Sequence, residues 1–371
     1  MRVHRFSEEE FNSLTDQWQE LLFRSNADRL FLSWHWMHSW WTTYADDSKD
    51  SLLLVGVYDD DNTLLCLAPL YQSKERLKQV LPFTRTQFLG TKASGSAGFR
   101  TEYLEFITDR QAPDQCIDLI LAYLTRHSNS GELLLNDLVI DSATYRQLVA
   151  LNVKKGFYQR PQERDQAYGI DTKGTFNNYI ASLGKNSRLK TYNRRTLLNT
   201  LGDVVLEPVT ADNYPDVLTM LTDFHRSRWE QEISYKSHQQ FLAQLTESGD
   251  IRISGIIIRL DGNVIGCTFD LISDNRSYNF QIGYSDDVSK KISMGSLTLG
   301  YAIELYYDDV PIKYYDFMAG EGKNSNYKSR IAEPGKELCR LQTLVSPLLA
   351  MVYKVKDKLD AANNKGNSQL L

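Results

Sequence analysis

A short segment with two lysines, two serines and a glycine has the composition of an anion-binding site. It reads Lys290-Lys291-Ile292-Ser293-Met294-Gly295-Ser296 and leads into an apolar stretch that predicts a helix over residues 295–307. The first turn of a helix presents free N–H groups and a partial positive charge, and glycine lets a phosphate approach the backbone. The residues that we expect to hold the anion are Lys290, Lys291, Ser293, Met294, Gly295 and Ser296. The alternative is an ordinary helix start with two surface lysines.

Four side chains in the second half of the chain are of types that move protons. Asp316 follows a short apolar strand, where it can accept a proton or orient an acceptor. Tyr327 and Lys328 can donate a proton to a leaving group, and His225 is of the residue type that titrates near neutral pH. Each has a structural alternative: Asp316 caps a loop, Tyr327 belongs to the core, and His225 helps to finish a helix.

Two isolated polar residues and one basic segment are candidates for substrate contacts. Asp270 and Gln281 lie among apolar neighbours on predicted strands, so each needs a partner, either a substrate or a buried hydrogen bond. Residues 172–202 contain six basic side chains and no acid. Their pattern predicts a helix with Arg188 and Arg195 on one face, at i and i+7. That face is either a basic wall of a substrate cleft or the solvated side of a connecting helix.

The composition excludes several classes of protein. The 371 residues include 42 Lys and Arg against 47 Asp and Glu, a net charge of −5, which argues against a DNA-binding protein. The apolar share of 42 % supports a folded core. Four widely spaced cysteines argue against a disulfide framework or a zinc site, and we expect no metal. With no signal peptide and no apolar run of ~18–20 residues, we expect a cytoplasmic protein without membrane insertion.

A hairpin pattern occurs twice in the chain. Residues 51–71 and 252–272 each contain two apolar runs around a turn rich in Asp and Asn, and Cys66 and Cys267 occupy matching positions 201 residues apart. Both halves then continue in the order β-α-α-β-β-β-α-β. This order predicts an α/β (α+β) chain of two similar domains with mixed, mostly antiparallel sheets.

We therefore predict two domains of unequal function. Residues 1–171 form the first domain, 172–202 a basic helical connector, 203–358 the second domain and 359–371 a flexible tail. The matching helix start in the first domain, Ala112-Pro113-Asp114-Gln115, lacks a glycine and carries an acid that repels phosphate. Any phosphate-bearing cofactor is therefore expected in the second domain.

Several local motifs resemble those of known transferases. The order of elements in each half resembles the acyl-CoA N-acyltransferase fold of the GNAT superfamily. The tandem arrangement is similar to the Fem peptidyltransferases and to the CelD-like acetyltransferases of cellulose and exopolysaccharide biosynthesis. The segments similar to CelD-like motifs are residues 31–41 (F-x-S-x-x-W…W-W), 224–229 (L-H-x-x-R-W), 293–297 (S-P-G-x-L) and 316–328 (D-F-x-x-G…Y-K). Met294 replaces the proline of the third motif, and Gly320 and Tyr327 stand further apart than in the fourth.

The resemblance implies an acyl-CoA-dependent transferase whose CoA pyrophosphate lies on the helix start at residues 290–296. Aminolysis of a thioester needs a neutral amine, an oxyanion stabiliser and a proton donor for the thiolate. The residues expected to be catalytic are Asp316, Tyr327, Lys328 and His225. The residues expected to bind substrate are Arg188, Arg195, Arg228, Trp229, Asp270 and Gln281.

We expect an N- or O-acyltransferase that uses acetyl-CoA or another acyl-CoA to modify a sugar or sugar nucleotide for exopolysaccharide. The acceptor is then a small molecule or a glycan, and the tryptophans of residues 34–41 either stack on sugar faces or form core. Two other functions stay open. One is a Fem-like transferase that uses aminoacyl-tRNA, with residues 185–195 contacting the RNA. The other is a non-catalytic binding protein that keeps the fold.

Overall fold

The structure is a computed structural model that describes residues 1–92, 99–229, 236–310, 312–320 and 325–367, with the side chains of 227–229, 236, 325–326 and 361–367 outside the description. The strands β1 to β15 are, in order, Arg2–Arg5, Asp50–Tyr58, Leu64–Leu77, Leu81–Phe88, Ile107–Thr108, Glu132–Val139, Tyr158–Gln159, Glu163–Asp171, Val204–Pro208, Ile251–Ser254, Ile256–Leu260, Asn263–Ser273, Arg276–Tyr284, Tyr314–Ala319 and Glu333–Leu344. The helices α1 to α13 are Glu8–Asn12, Thr15–Arg24, Trp34–Tyr44, Gln115–His127, Ala143–Lys155, Phe176–Ser182, Lys185–Arg188, Arg195–Leu198, Tyr214–Trp229, Lys236–Thr246, Met294–Asp308, Ser325–Lys328 and Pro347–Asn367. A π-helical turn, Leu189–Asn193, lies between α7 and α8.

Short polar signals in the sequence define several helix ends. Ser7 and Glu10 form the capping box that their spacing predicts, with each side chain bonded to the other residue's N–H. Ser33 and Ser142 accept hydrogen bonds from N–H groups in the first turns of α3 and α5. Gly156 ends α5 in the left-handed conformation, with a φ of 66°.

The chain divides into two compact units, Met1–Arg164 with Glu337–Leu371 (unit 1) and Asp165–Lys336 (unit 2). Their boundaries differ from those expected from the sequence. Residues 172–202, expected as a connector, lie within unit 2, where Phe176 and Leu198 join the hydrophobic core. Residues 337–358, expected in the second domain, belong to unit 1. Of residues 359–371, expected as a flexible tail, those up to Asn367 continue α13 as helix, and 368–371 lie outside the described residues.

The two units repeat one sheet topology. In unit 1 the strand order is β1-β2-β3-β4-β6-β15, and in unit 2 it is β9-β11-β12-β13-β14-β8. The pairs β4–β6 and β13–β14 are parallel, whereas the other neighbours along these two orders are antiparallel. The predicted class, α/β with two similar and mostly antiparallel mixed sheets, is confirmed.

The repeated hairpins match in order, but their registers differ by one residue. Cys66 lies opposite Val57 in the β2–β3 hairpin, whereas Cys267 lies opposite Ile257 in the β11–β12 hairpin, one residue before the position that corresponds to Val57 at the 201-residue shift. Each hairpin also has a register shift near its turn, between Val57 and Tyr58 in unit 1 and between Ile258 and Arg259 in unit 2. The sequence repeat therefore corresponds to a structural repeat.

The fourth strand of each unit is interrupted at the same place. In unit 2, Asp270 pairs with Asn279 and Phe269 pairs with Gln281, so Phe280 is the extra residue of a β-bulge. In unit 1 the β3–β4 ladder ends at Leu70–Phe88 and resumes as β3–β5 at Leu67–Ile107. A shift of 201 residues places this interruption opposite the bulge. Residues 89–106 of unit 1 thus stand where unit 2 has a single extra residue.

Helix α11 packs closely on the segment that was expected to be a connector. A Cβ at Gly300 would lie 1.8 Å from the backbone oxygen of Thr191 in the π-helical turn. Only glycine permits this approach of two backbones. The segment is therefore an integral layer of unit 2.

Candidate functional site

Strands β13 and β14 of unit 2 separate after a short parallel ladder. They pair only between Arg276–Tyr278 and residues 314–316, although β13 runs on to Tyr284 and β14 to Ala319. The bulge at Phe280 bends β13 directly after the last pair. We call the space between residues 279–284 and 317–319 the wedge. Beyond Tyr278 and Asp316 the facing edges of the two strands are not paired with each other.

The start of α11 follows β13 by a short loop and is open to an anion. Ser293 is the N-cap residue, but its side chain makes no capping hydrogen bond and lies 3.1 Å from the Ser296 hydroxyl. The first turn carries no acid, and Lys290 and Lys291 are exposed just before it. The N–H groups of this turn and the two cations suit a phosphate. All six residues predicted to hold an anion lie at or just before this helix start.

Tyr284, which the sequence did not single out, lies against the same helix start. A Cβ at Gly295 would be 2.6 Å from the Tyr284 ring. The glycine thus gives space to an aromatic ring, whereas the sequence had suggested that it admits a phosphate. The only signal that could have found Tyr284 was its place at the end of a predicted strand, just before the basic segment.

Tyr327 lies close to Tyr284 and is largely buried. Burial raises the pKa of the Tyr327 phenol to about 12, and the Tyr284 phenol adds to this rise. A phenol is protonated at neutral pH, and the raised pKa makes Tyr327 a weaker acid than an exposed tyrosine. Its neighbour Lys328 is bonded to the end of β14. Tyr327 therefore stands beside the ends of both strands that border the wedge.

The side chain of Lys328 is bonded to the end of β14, and its role as a proton donor to the leaving group stays a prediction. Its side chain is buried, and its Nζ donates to the carbonyl oxygens of Met318 at 3.0 Å and Ala319 at 3.2 Å. Met318 has a φ of 59°, which is unfavourable for a side chain of its size. A Cβ at Gly320 would lie 2.9 Å from Nζ. Lys328 therefore holds a strained strand end in place.

Asp316 lies in a buried ion pair at the junction of β13 and β14, and its role as a proton acceptor stays a prediction. It is 1 % exposed, and its Oδ2 accepts hydrogen bonds from Arg276 Nη2 at 2.5 Å and Nε at 3.1 Å. Its Oδ1 accepts the Met318 N–H at 2.7 Å. Both carboxylate oxygens are thus engaged at the point where β13 and β14 part. The ion pair fastens the narrow end of the wedge.

Asp270 has a buried hydrogen-bond network. It is 0 % exposed and accepts hydrogen bonds from Asn279 at 2.6 Å, Tyr306 at 2.7 Å and Tyr315 at 3.3 Å. These donors come from β13, α11 and β14. Burial, only partly offset by these bonds, raises the pKa of Asp270 to about 7. The structure thus supplies the buried hydrogen bonds of the second alternative, and a substrate contact of Asp270 stays a prediction.

His225 and Gln281, predicted separately, are brought together. The Nε2 of His225 on α9 lies 3.3 Å from the Gln281 side-chain oxygen on β13. Gln281 shares its face of β13 with Gly283, against which Phe224 of α9 packs. Tyr284 instead faces α11. The imidazole is therefore on the α9 side of the sheet, and the predicted phosphate site is on the α11 side.

The basic face of residues 172–202 is used for packing. Arg195 forms an ion pair with Glu304 of α11. Its guanidinium carbon lies 3.9 Å from the Tyr301 ring centroid and 4.6 Å from that of Tyr192. A carboxylate and aromatic rings thus surround the guanidinium, and a substrate contact of Arg195 stays a prediction. Arg188 is half-buried on α7.

The remaining predicted site residues fall in two groups. Arg228 and Trp229 end α9, and their side chains lie outside the described residues. Of the tryptophan cluster, Trp36 and Trp40 are fully buried, so core packing is the correct interpretation for them. Within the described ranges there is no group of His, Cys, Asp and Glu that could hold a metal ion, and the four cysteines are free and buried.

Unit 1 fills its own equivalent of the wedge. Strands β4 and β6 pair in parallel only at Arg85–Glu132 and Thr86–Leu133. Beyond this point Leu104 adds to β6: its N–H donates to the Asp137 carbonyl at 2.9 Å, and its carbonyl accepts the Val139 N–H at 3.0 Å. Leu104 is fully buried. Residues of the 89–106 insertion thus occupy the space that is left between the strands in unit 2.

Comparison with known proteins identifies the type of fold. Residues 185–329 match the family model described as an acetyltransferase (GNAT) domain. The crystal structure of FemX is similar with a TM-score of 0.62 at 10 % identity, over 95 % of this chain and 99 % of that one. A tandem GNAT protein from the clavulanic acid biosynthesis pathway gives a TM-score of 0.52 at 11 % identity, over 92 % and 97 %. No curated protein matches the sequence.

A third structure, a conserved protein of unknown function from Bacteroides thetaiotaomicron VPI-5482, gives a TM-score of 0.51 at 11 % identity, over 92 % of this chain and 99 % of that chain. Identities this low show the fold alone. Residues 185–329 are therefore similar to an acetyltransferase (GNAT) domain and the neighbours have the same type of fold, whereas the CelD-like resemblance stays a prediction. A GNAT domain implies acyl-CoA as co-substrate in general. No helix in the described part of the chain is long and apolar enough to cross a membrane.

Proposed function

We propose that unit 2 is an acyl-CoA-dependent acyltransferase that acts on an amine or hydroxyl group of a sugar or sugar nucleotide used for exopolysaccharide. The observation that carries this proposal is the wedge between β13 and β14, with the uncapped start of α11 and the protonated Tyr327 beside it. These features supply places for the three chemically distinct parts of the donor: the diphosphate, the extended amide arm and the thioester.

The donor would bind from the helix start into the wedge. Its diphosphate accepts hydrogen bonds from N–H groups in the first turn of α11, and Lys290 and Lys291 balance its charge. The pantetheine arm is an extended chain with two amides, and such a chain can add to an exposed strand edge. The edge of β13 beyond Tyr278 is not paired with β14 in the described residues.

The acyl transfer then needs a proton donor for the leaving thiolate and a proton acceptor for the attacking amine or hydroxyl group. The acceptor nitrogen or oxygen attacks the thioester carbonyl, the carbon–sulfur bond breaks, and the leaving thiolate takes the proton of Tyr327. Backbone N–H groups along the β13 edge would stabilise the oxyanion. His225 beside Gln281, on the α9 face, is the candidate to take the proton that the acceptor loses.

Two observations favour unit 2 over unit 1 for donor binding. In unit 1, Leu104 occupies the space between the parallel strands. Helix α4, which precedes β6 in unit 1 as α11 precedes β14 in unit 2, has Asp114 at its N-cap and Asp118 in its first turn. An extended ligand has no free edge there, and acids repel a diphosphate.

A Fem-like transferase is the second candidate, favoured by the similarity to FemX along almost the whole chain. An aminoacyl ester would then replace the thioester at the same wedge. Arg195, one of the bases expected to contact RNA, is already engaged by Glu304, which weakens this candidate.

Substitution of the α11 N-cap tests the proposal without weakening the helix. Ser293→Asp adds a capping carboxylate that stabilises a helix start but competes with a phosphate for the same N–H groups. We expect at least about tenfold weaker binding of acetyl-CoA by calorimetry, whereas pantetheine, which lacks the diphosphate, should bind equally to both proteins. Ser142→Asp is the matched control, because Ser142 is the N-cap of α5 in unit 1.

The outcomes separate the candidates. If the unsubstituted protein binds no acyl-CoA, the proposal fails. Consumption of aminoacyl-tRNA by that same protein would then favour the Fem-like function.

A further inference from the structure

The C-terminal helix α13 presents an exposed apolar stripe. Leu348, Met351, Val355 and Leu359 are each between 49 % and 60 % exposed. Their spacing of three, four and four residues places them on one face of a helix. Exposed apolar side chains are common singly, but four aligned on one helix mark an interaction surface. We call these four residues the α13 stripe.

The opposite face of α13 fixes the helix to unit 1, so the stripe points outward. Leu349 is fully buried, and Arg160 stacks on the Tyr353 ring at 4.9 Å. Asp357 accepts hydrogen bonds from Arg160 Nε at 3.0 Å and from the Tyr158 hydroxyl at 2.9 Å. Residues 349, 353 and 357 repeat every four positions and define this inner face.

On α13, basic side chains lie beside the outward stripe and acidic side chains lie on the inner face. Exposed Lys354 and Lys358 lie on one flank of the stripe and exposed Lys356 lies on the other. The two acids among residues 347–360, Asp357 and Asp360, lie at the positions of the inner face, three residues apart. The outward half of this part of the helix therefore combines an apolar stripe with cations on both flanks.

We propose that the α13 stripe and its flanking lysines bind an anionic lipid surface. An apolar stripe a few residues wide enters the boundary between headgroups and acyl chains, while lysines on both flanks reach the phosphates. A second copy of the chain fits less well, because an antiparallel helix pair would bring lysine flanks against each other. A surface association of this kind requires no membrane-spanning segment.

A smaller patch beside α13 has the same composition. Val153, which is 78 % exposed, is followed by the exposed Lys154 and Lys155 at the end of α5. Three residues later comes Tyr158, whose ring lies 5.1 Å from the Lys354 ammonium. The cationic and apolar surface thus extends beyond a single helix.

Vesicle co-sedimentation of the full chain tests this proposal independently of any enzymatic activity. We expect binding to vesicles of equimolar phosphatidylcholine and phosphatidylglycerol, reduced by salt, and little binding to phosphatidylcholine alone. Met351→Gln with Val355→Gln should abolish sedimentation with the anionic vesicles. Lys354→Gln with Lys358→Gln should weaken it about thirtyfold, since each lysine near a charged bilayer contributes about 1 kcal/mol.

Val80→Gln is the matched control, because Val80 is 83 % exposed in the turn between β3 and β4 and lies outside the stripe. All these side chains are exposed, so the midpoints of urea unfolding should stay unchanged. Equal sedimentation of the stripe variant and the control would overturn the proposal. So would a concentration-dependent doubling of mass in light scattering that the stripe variant abolishes, because the stripe would then be a self-interface.

Discussion

Units 1 and 2 share a strand order but differ at one point in the fourth strand. Unit 2 has a single extra residue there, Phe280, and its strands part to leave the wedge. Unit 1 has residues 89–106 at that point, and Leu104 from this insertion pairs with β6. One sheet topology therefore accommodates both arrangements, and the length of chain at one bulge decides whether residues of the same unit pair with the strand beyond the parallel ladder.

The two units also share an ion pair at the junction of their parallel strands. Where the parallel strands meet, unit 1 has the ion pair Arg85–Glu132 at 2.5 Å and unit 2 has Arg276–Asp316 at 2.5 Å. In both pairs the carboxylate is on the strand after the long helix and is almost fully buried. Unit 1 has such an ion pair even though Leu104 occupies the space between its parallel strands. Holding the two parallel strands together is therefore a sufficient reason for the ion pair in both units.

The largest expected effects come from breaking these two ion pairs. Glu132→Ala and Asp316→Ala each leave an arginine without its buried partner, which should lower the free energy of unfolding by about 3 kcal/mol. The loss should be greater for Glu132→Ala, because Arg85 is less exposed than Arg276. Urea unfolding followed by tryptophan fluorescence measures both. If Asp316→Asn abolished acyl transfer with unchanged stability, the two pairs would not be equivalent.

Removal of a tyrosine hydroxyl should lower turnover when the tyrosine is in unit 2 but not when it is in unit 1. Tyr327→Phe should lower turnover about a hundredfold, equivalent to about 2.7 kcal/mol, because the thiolate loses its proton donor. Acyl-CoA affinity should change little. Tyr103→Phe, in the segment that fills unit 1, is the counterpart and should leave turnover unchanged. Equal turnover of the Tyr327 variant and the unsubstituted protein would remove Tyr327 from the mechanism.

A smaller effect is expected in the pH dependence of stability. Asp270 of unit 2 corresponds to Pro69 of unit 1 at the 201-residue shift, so only unit 2 has this buried acid. Its pKa rises from 3.8 to about 7 on folding. Between these two pH values the Asp270 carboxyl is ionised in the unfolded chain and protonated in the folded one. The contribution of Asp270 to stability therefore falls as the pH rises.

Relative to Asp270→Asn, the unsubstituted protein should therefore lose about 1 kcal/mol between about pH 5 and about pH 6. Parallel urea titrations at these two pH values measure the difference. A constant difference between the two proteins would show that Asp270 is already ionised throughout the interval.

The sequence predicted the repeated topology because that information is local. Hairpins depend on alternating apolar runs and turn residues close together in the chain, and the shared positions of Cys66 and Cys267 revealed the second copy. The roles of Asp316, Asp270 and Lys328 depend on partners that the sequence does not mark. Arg276 is 40 residues from Asp316 and Tyr306 is 36 from Asp270. A polar residue in a strand shows that it needs a partner, but only the fold decides which partner it finds.

Strand β15 has a consequence for how the protein is made. Unit 2 is one continuous stretch of chain, whereas unit 1 needs residues 337–371, with β15 pairing to β6 through Leu338–Val139 and its neighbours. During synthesis, which proceeds from the N-terminus, the first 164 residues emerge with one edge of their sheet still lacking its last strand. An unpaired edge is a site for wrong pairings. The first unit to be translated is therefore the last to be completed, and a nascent chain stalled before residue 337 would depend on chaperones.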